Sequence, residues 1–194
     1  MHRTFFGYSP AVWRSVSLIK HFKRDNLITV KRIQDGELEL YKQIRLASLK
    51  DAPYAFETTY ESALQRTDEM WRERVINTVQ GTDEAIFFAF SDDLAIGIAA
   101  LIRMKGQAEA GVLMQVWASP DHRGTSVAWD LMDAIFHWAG ENNFHRIIAG
   151  VTNLNARALR FYTRYGFSMI EESAQSDPGS VYLVKEITYR LSDY

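Results

Sequence analysis

Gln115-Val-Trp-Ala-Ser-Pro-Asp-His-Arg-Gly-Thr-Ser-Val-Ala128 carries an apolar strand into a glycine-containing turn and out into a helix. A helix amino terminus presents backbone N–H groups without intrahelical partners and a partial positive charge, so such a corner can hold phosphate without a lysine. A small residue in the turn lets an anion approach the backbone closely. A plain strand-to-helix corner reads much the same way, so the choice rests on what surrounds it.

Upstream of the corner, Ala108 to Ala118 reads as one long strand. Before it, Ala85–Phe90 and Leu94–Met104 read as strands joined by the hairpin signal Ser91-Asp92-Asp93. Further out, Ile28–Ile33 alternates as a half-buried strand, and Glu37–Leu49 sets Leu38, Tyr41, Ile44, Arg45 and Leu49 at helical steps until Asp51-Ala-Pro53 stops it. Pro53 to Arg66 reads as a loop with three aromatic residues, followed by a helix from about Thr67 with Met70, Trp71, Val75 and Val79 on one face. Downstream, Val127–Gly140 turns Ala128, Leu131, Met132, Ile135, Trp138 and Ala139 inward. Arg146–Val151 is a short buried strand, Asn155–Tyr165 a helix ended by Gly166, and Val181–Ile187 a last strand. This order, with its central antiparallel run, predicts an α/β (α+β) fold: a mixed sheet covered by helices.

A second motif supports the phosphate reading. Asn155-Ala-Arg-Ala158-Leu-Arg-Phe161-Tyr162-Thr-Arg-Tyr-Gly166-Phe167 combines an asparagine at a helix start, an alanine, an aromatic pair and a Gly-Phe stop. With these two motifs in this order, the sequence resembles the GNAT superfamily of acetyl-CoA-dependent N-acetyltransferases. The family's loop, Arg or Gln followed at fixed spacing by two small residues, is matched by Arg123-Gly-Thr-Ser126-Val-Ala128, with Ser126 where the family has glycine. Element order agrees over Ile28–Ile187, and motif identity is confined to about 110–167. The resemblance implies a mostly antiparallel mixed sheet splayed at its central strand. It also implies a catalytic domain over 28–190, an extension over 1–27 and a tail over 191–194.

It further implies roles. Backbone groups of Val116, Trp117 and Ala118 would bond the pantetheine arm, and one of their N–H groups would stabilise the thioester oxyanion. Amides of Arg123, Gly124, Thr125, Ser126, Val127 and Ala128 would hold the diphosphate, with Arg123 adding charge at its edge. Asn155 would contact the pantetheine or orient the sulfur, and Tyr162 would protonate the leaving thiolate. A β-carbon at Ser126 is strained if the residue is left-handed; if it is already helical, its hydroxyl becomes a further phosphate donor.

The chemistry of Tyr162 stands beside the analogy. A phenol of pKa about 10 keeps its proton at neutral pH, and a thiolate of conjugate pKa about 8.5 gains by taking it. The alternative is a core tyrosine sharing a helix face with Ala158. Attack needs a neutral amine. An alkylamine of pKa about 10.4 is neutral about once in 2,500 at pH 7, a cost of about 4.6 kcal/mol. A carboxylate base is the family's usual device; Glu109, on the strand leading to the loop, is the first candidate and Glu57 the second. Phe56, Tyr60 and Trp71 either pack helices or wall the acceptor site.

Composition bounds the rest. At 194 residues and 47% hydrophobic, the chain suits one domain with a full core. A net charge of −2 argues against a nucleic-acid binder resting on a basic face. The sequence holds no cysteine, which removes disulfides, thiolate metal sites and any cysteine nucleophile. The five histidines show no metal spacing, so no metal is expected; His122 is read as meeting water. Residues 1–27 set Arg3, Arg14, Lys20, Lys23 and Arg24 against Asp25, leaving −6 on the body, which favours a cationic amine by field steering. No secretory signal or apolar span is seen, and the expectation is a cytoplasmic monomer or homodimer without membrane partners. Cosubstrate and acceptor are then acetyl-CoA and a small-molecule or peptide amine. A non-catalytic acyl-CoA-binding module on the same fold is the competing reading.

Overall fold

The computed structural model describes residues 27–170 and 179–187. The expectations for the tail over 191–194 and, Leu27 aside, for the extension over 1–27 lie outside these residues. In chain order the elements are β1 (Ile28–Arg32), α1 (Leu38–Asp51), α2 (Tyr60–Leu64), α3 (Asp68–Gln80), β2 (Glu84–Ser91), β3 (Leu94–Arg103), β4 (Ala110–Ala118), α4 (Val127–Glu141), β5 (Arg146–Thr152), α5 (Ala156–Tyr165), β6 (Ser168–Met169) and β7 (Ser180–Glu186), with 3-10 turns at Pro53–Ala55 and Pro120–His122.

The strands form one sheet ordered β1-β2-β3-β4-β5-β7-β6. Only β4 and β5 run parallel; every other pair is antiparallel. The apolar run Glu84-Ala-Ile-Phe-Phe-Ala-Phe90 does not alternate with polar residues because both sheet faces are covered. Ala85, Phe87 and Ala89 meet Leu131, Met132 and Ile135 of α4 in one core. Ile86 and Phe88 face Tyr41, Ile44 and Leu49 of α1 and Trp71 and Val75 of α3 in a second. The mixed, mostly antiparallel sheet expected from the sequence is therefore present.

Three local expectations are corrected. The Pro53–Arg66 loop contains α2, whose start is fixed by Thr59 accepting from the Ser62 N–H at 3.1 Å; five residues are too few to show a period. Met70 is 52% exposed, because the buried stripe of α3 steps through Trp71, Val75 and Thr78. The long strand starts at Ala110 rather than Ala108, since Gln107–Ala110 forms a turn closed by the Ala110 N–H on the Gln107 carbonyl.

Two features shape the site. A β-carbon on Gly97 of β3 would lie 2.8 Å from Val127 Cγ1 and 3.0 Å from Leu131 Cδ1, so the first turn of α4 lies directly on the sheet. The β4–β5 ladder runs only from Ala110↔Arg146 to Leu113↔Ala149, yet β4 stays on β3 to Ala118 and β5 stays on β7 to Thr152. Gln115 has φ +58°, and the β3–β4 register shifts there. A bulge of this kind bends a strand out of its ladder. The sheet is thus split open between the carboxyl ends of β4 and β5. No helix of the described residues is long and apolar enough to cross a membrane.

Candidate active site

The open edge of β4 can be read bond by bond. The Ser119 N–H donates to the Ile96 carbonyl at 2.8 Å, and Trp117 pairs with Ile98. Alternation along an antiparallel pair then spends the Trp117 N–H and C=O on β3. The described residues contain no cis peptide, so the planar trans units turn the Val116 carbonyl and the Ala118 N–H and carbonyl toward the opening. The Ala118 carbonyl accepts from Arg123 Nε at 3.2 Å; the other two groups have no partner strand. An extended molecule bearing amides can add there as a half-strand. Trp117 differs from its expected role, since its backbone belongs to β3 and its buried indole N–H donates to Asp51 Oδ2 at 2.7 Å.

The turn continues this track. Gly124 has φ +81°, and a β-carbon there would meet nothing within 4 Å, so glycine is required by backbone shape rather than by space. The amides of Gly124, Thr125, Ser126, Ala128 and Trp129 meet no acceptor among the described residues. Ser126 lies at φ −73°, ψ −14°, already helical, so its β-carbon carries no strain. Its hydroxyl donates to Asp130 Oδ2 at 2.7 Å, which occupies it within the helix instead of leaving it as a phosphate donor. Arg123 also departs from expectation: its guanidinium is ion-paired with Asp51 at the end of α1, because that carboxylate stands beside the turn. His122 is engaged with Ser119 Oγ through Nδ1 at 2.8 Å rather than only with water.

The opposite wall is α5, which follows β5. Asn155 Oδ1 accepts from the Ala158 N–H at 3.1 Å and caps the helix, leaving its NH2 end for any ligand. Tyr162 is buried against Phe161 and Phe167, with ring centroids 5.4 and 5.3 Å away. Burial pushes its hydroxyl well above the usual tyrosine range. That hydroxyl makes no hydrogen bond to the described residues, whereas the Tyr165 hydroxyl donates to Asp133 at 2.7 Å. Of the two buried tyrosines on α5, Tyr162 carries the phenol left for chemistry.

Of the two carboxylates expected as bases, Glu109 is not brought to this place. Glu109 precedes β4 at the strand's other end, about 26 Å of extended chain from Trp117. Its exposed carboxylate lies 3.1 Å from His145 Nδ1. Sequence adjacency to a strand does not say which end carries the chemistry, and here the open end is the far one. Glu57 is exposed in the connection before α2. Trp71 packs edge-on to Tyr41 at 5.4 Å, Phe56 stacks on Arg45 at 4.5 Å, and Tyr60 is partly buried in the same core; Trp71 is thus a packing residue. Among the described residues no group of histidine, aspartate and glutamate could hold a metal. Asp51 was missed, since in the sequence it reads only as a helix stop.

Residues 46–167 match the Acetyltransferase (GNAT) family. The chain belongs to that family. Among its relatives, an uncharacterized N-acetyltransferase of Mycobacterium tuberculosis is 34% identical over 85 residues, covering 44% of this chain and 53% of the relative. A Mycobacterium bovis protein of the same description matches equally. The chain therefore spans about half the length of the curated relatives it matches. The GNAT fold is shared with an acetyltransferase from Streptococcus pneumoniae, at TM-score 0.69 and 16% identity over 84% of this chain and 100% of that one. It is shared also with the PaiA N-acetyltransferase of Thermoplasma acidophilum in complex with coenzyme A, at TM-score 0.68 and 17% identity over 82% and 99%.

Proposed function

We propose that this GNAT-family chain is an N-acetyltransferase whose catalytic unit spans 28–190 and which passes acetyl from acetyl-CoA directly to a primary amine of a small molecule or peptide. The observation that carries the reading is one track of unpartnered backbone groups. Among the described residues it runs from the Val116 carbonyl and Ala118 N–H to the amides of Gly124, Thr125, Ser126, Ala128 and Trp129 at the start of α4. Pantetheine presents amides suited to the strand edge, and a diphosphate suits the helix terminus. The coenzyme A bound by the Thermoplasma relative supports the same cosubstrate class.

The residues then divide the work. The strand edge fixes the thioester and offers an N–H for charge building on its oxygen. The α4 amides hold the diphosphate, and the Asp51–Arg123 pair holds the turn that presents them. As the amine nitrogen forms its bond to the acetyl carbon and the carbon–sulfur bond breaks, Tyr162 gives its proton to the departing sulfur; the amine's surplus proton leaves to solvent. With no cysteine in the sequence, an acetyl-cysteine route is closed, which fits direct transfer with both substrates bound together.

Release of free thiol from acetyl-CoA across a panel of primary amines tests this. The reading requires turnover with at least one of them. Binding of acetyl-CoA with no turnover on any amine would instead assign the chain as a non-catalytic acyl-CoA-binding module, a role that gives the unengaged Tyr162 phenol nothing to do.

A further inference from the structure

On the side of the sheet covered by α1 and α3 there is a buried cation without a counter-charge. Arg45, on α1, is 4% exposed. Its Nη1 donates to Ser48 Oγ at 3.3 Å, its guanidinium lies over Phe56, and its Nε has no hydrogen-bond partner. No carboxylate of the described residues pairs with it. Burial pushes its pKa down to about 10, which still leaves it charged at neutral pH. Arg66 and Arg74 add to the positive field around it. Arg74 is paired with Glu84 at 3.2 Å, while Arg66 lies over Trp71. Of these three guanidinium groups only that of Arg74 is ion-paired among the described residues. A buried charge left unpaired is strongly unfavourable, and the planar fork of arginine is matched by a carboxylate.

The position of this cation gives it a use. One helical turn before it on the same face of α1, the Tyr41 hydroxyl lies 3.3 Å from the side-chain nitrogen of Gln115, the residue at which β4 leaves β5. At the end of the same helix Asp51 holds Trp117 and Arg123. Arg45 thus stands one turn from the α1 residue that holds the open stretch of β4, within electrostatic reach of the Tyr41 hydroxyl. Its face is covered by Phe56, a half-buried residue in a connection without regular structure, so displacement of that one ring would open the guanidinium to a ligand.

We propose that the acceptor carries a carboxylate near its amine, as in a free amino acid or the carboxyl end of a short peptide, and that Arg45 binds that carboxylate. The proposal rests on the N-acetyltransferase reading above. It runs against the steering expectation from net charge, because a field averaged over the body says little about a buried pocket whose own charge is positive.

The test measures thiol release by the wild-type protein with each common amino acid against its carboxamide and its decarboxylated amine. At least one amino acid should show a kcat/KM about 30-fold or more above both counterparts, the effect of losing one partner of a buried charge pair. Arg45→Lys, which keeps the charge but loses the fork, should narrow that ratio, and Arg45→Met should bring it to about one with the KM for acetyl-CoA unchanged. Equal or faster turnover of the carboxamide or the decarboxylated amine would overturn the proposal while leaving the N-acetyltransferase reading intact, as would an unchanged ratio in Arg45→Met. Bound acetyl-CoA with no thiol release from any member would overturn both.

Discussion

At its amino end β4 is paired on both sides, to β3 and to β5, and the groups displayed there are charged side chains: Glu109 against His145, and Arg146 against Gln107 at 2.7 Å. At its carboxyl end the same strand is paired on one side only, and what it displays toward the opening is backbone. Both ends are polar. At the amino end the polar groups satisfy one another or face water, so nothing there lacks a partner that a substrate would supply. At the carboxyl end the Val116 carbonyl, the Ala118 N–H and the amides of Gly124–Ser126, Ala128 and Trp129 have no partner among the described residues, and a buried phenol lies on the far wall. Backbone groups left without a protein partner mark the end that can take up the amides and phosphates of a ligand, whereas the charges at the other end already meet one another.

The contrast breaks first at Tyr162. Tyr162→Phe should lower kcat about 100-fold or more and leave the KM for acetyl-CoA within about twofold; an unchanged kcat would remove the proton donor from the open end. Because burial raises its pKa, the donor stays protonated as pH climbs past the ordinary tyrosine range. The pH–rate profile should therefore show no fall in kcat approaching pH 10 from this group. Next in size, Gly124→Val puts a β-branched residue at φ +81°, at a cost of about 1–2 kcal/mol. About a tenfold rise in the KM for acetyl-CoA is expected with little change in kcat. Steady-state kinetics on Asp51→Asn should show a smaller rise, about fivefold, as one charge-assisted contact to Arg123 is lost. A fall in KM would mean that a freed Arg123 serves the diphosphate better than the latch does. The smallest effect belongs to Glu109→Gln, for which kcat/KM should not change; a loss of activity would erase the distinction between the two ends.

Much of the cofactor side was legible in the sequence, for a physical reason. A site made from backbone groups needs glycine or small residues at fixed spacing, and such constraints appear as local patterns: Gly124 in the turn, Asn155 at the helix start, Gly166 at its end. The β2–β3 hairpin could also be read, because the two strands are long apolar runs separated by a short turn. The acceptor side was not legible. Asp51 meets Trp117 and Arg123 from 66 and 72 residues away, and the lack of a counter-charge on Arg45 is a property of packing, which no spacing records. Glu109 stands away from the open end of β4, which its sequence position could not show, because a strand's sequence shows where it leads but not where its ladder stops. The bulge at Gln115 decides that, through a dihedral angle the sequence does not announce.

Amide chemical shifts followed by 1H–15N NMR during titration with acetyl-CoA test the central claim most directly. The account predicts the largest shifts at Ala118 and from Gly124 to Trp129, with the amides around Glu109 and His145 unmoved. Shifts confined to the Glu109–His145 end, with the open end of β4 unmoved, would contradict it.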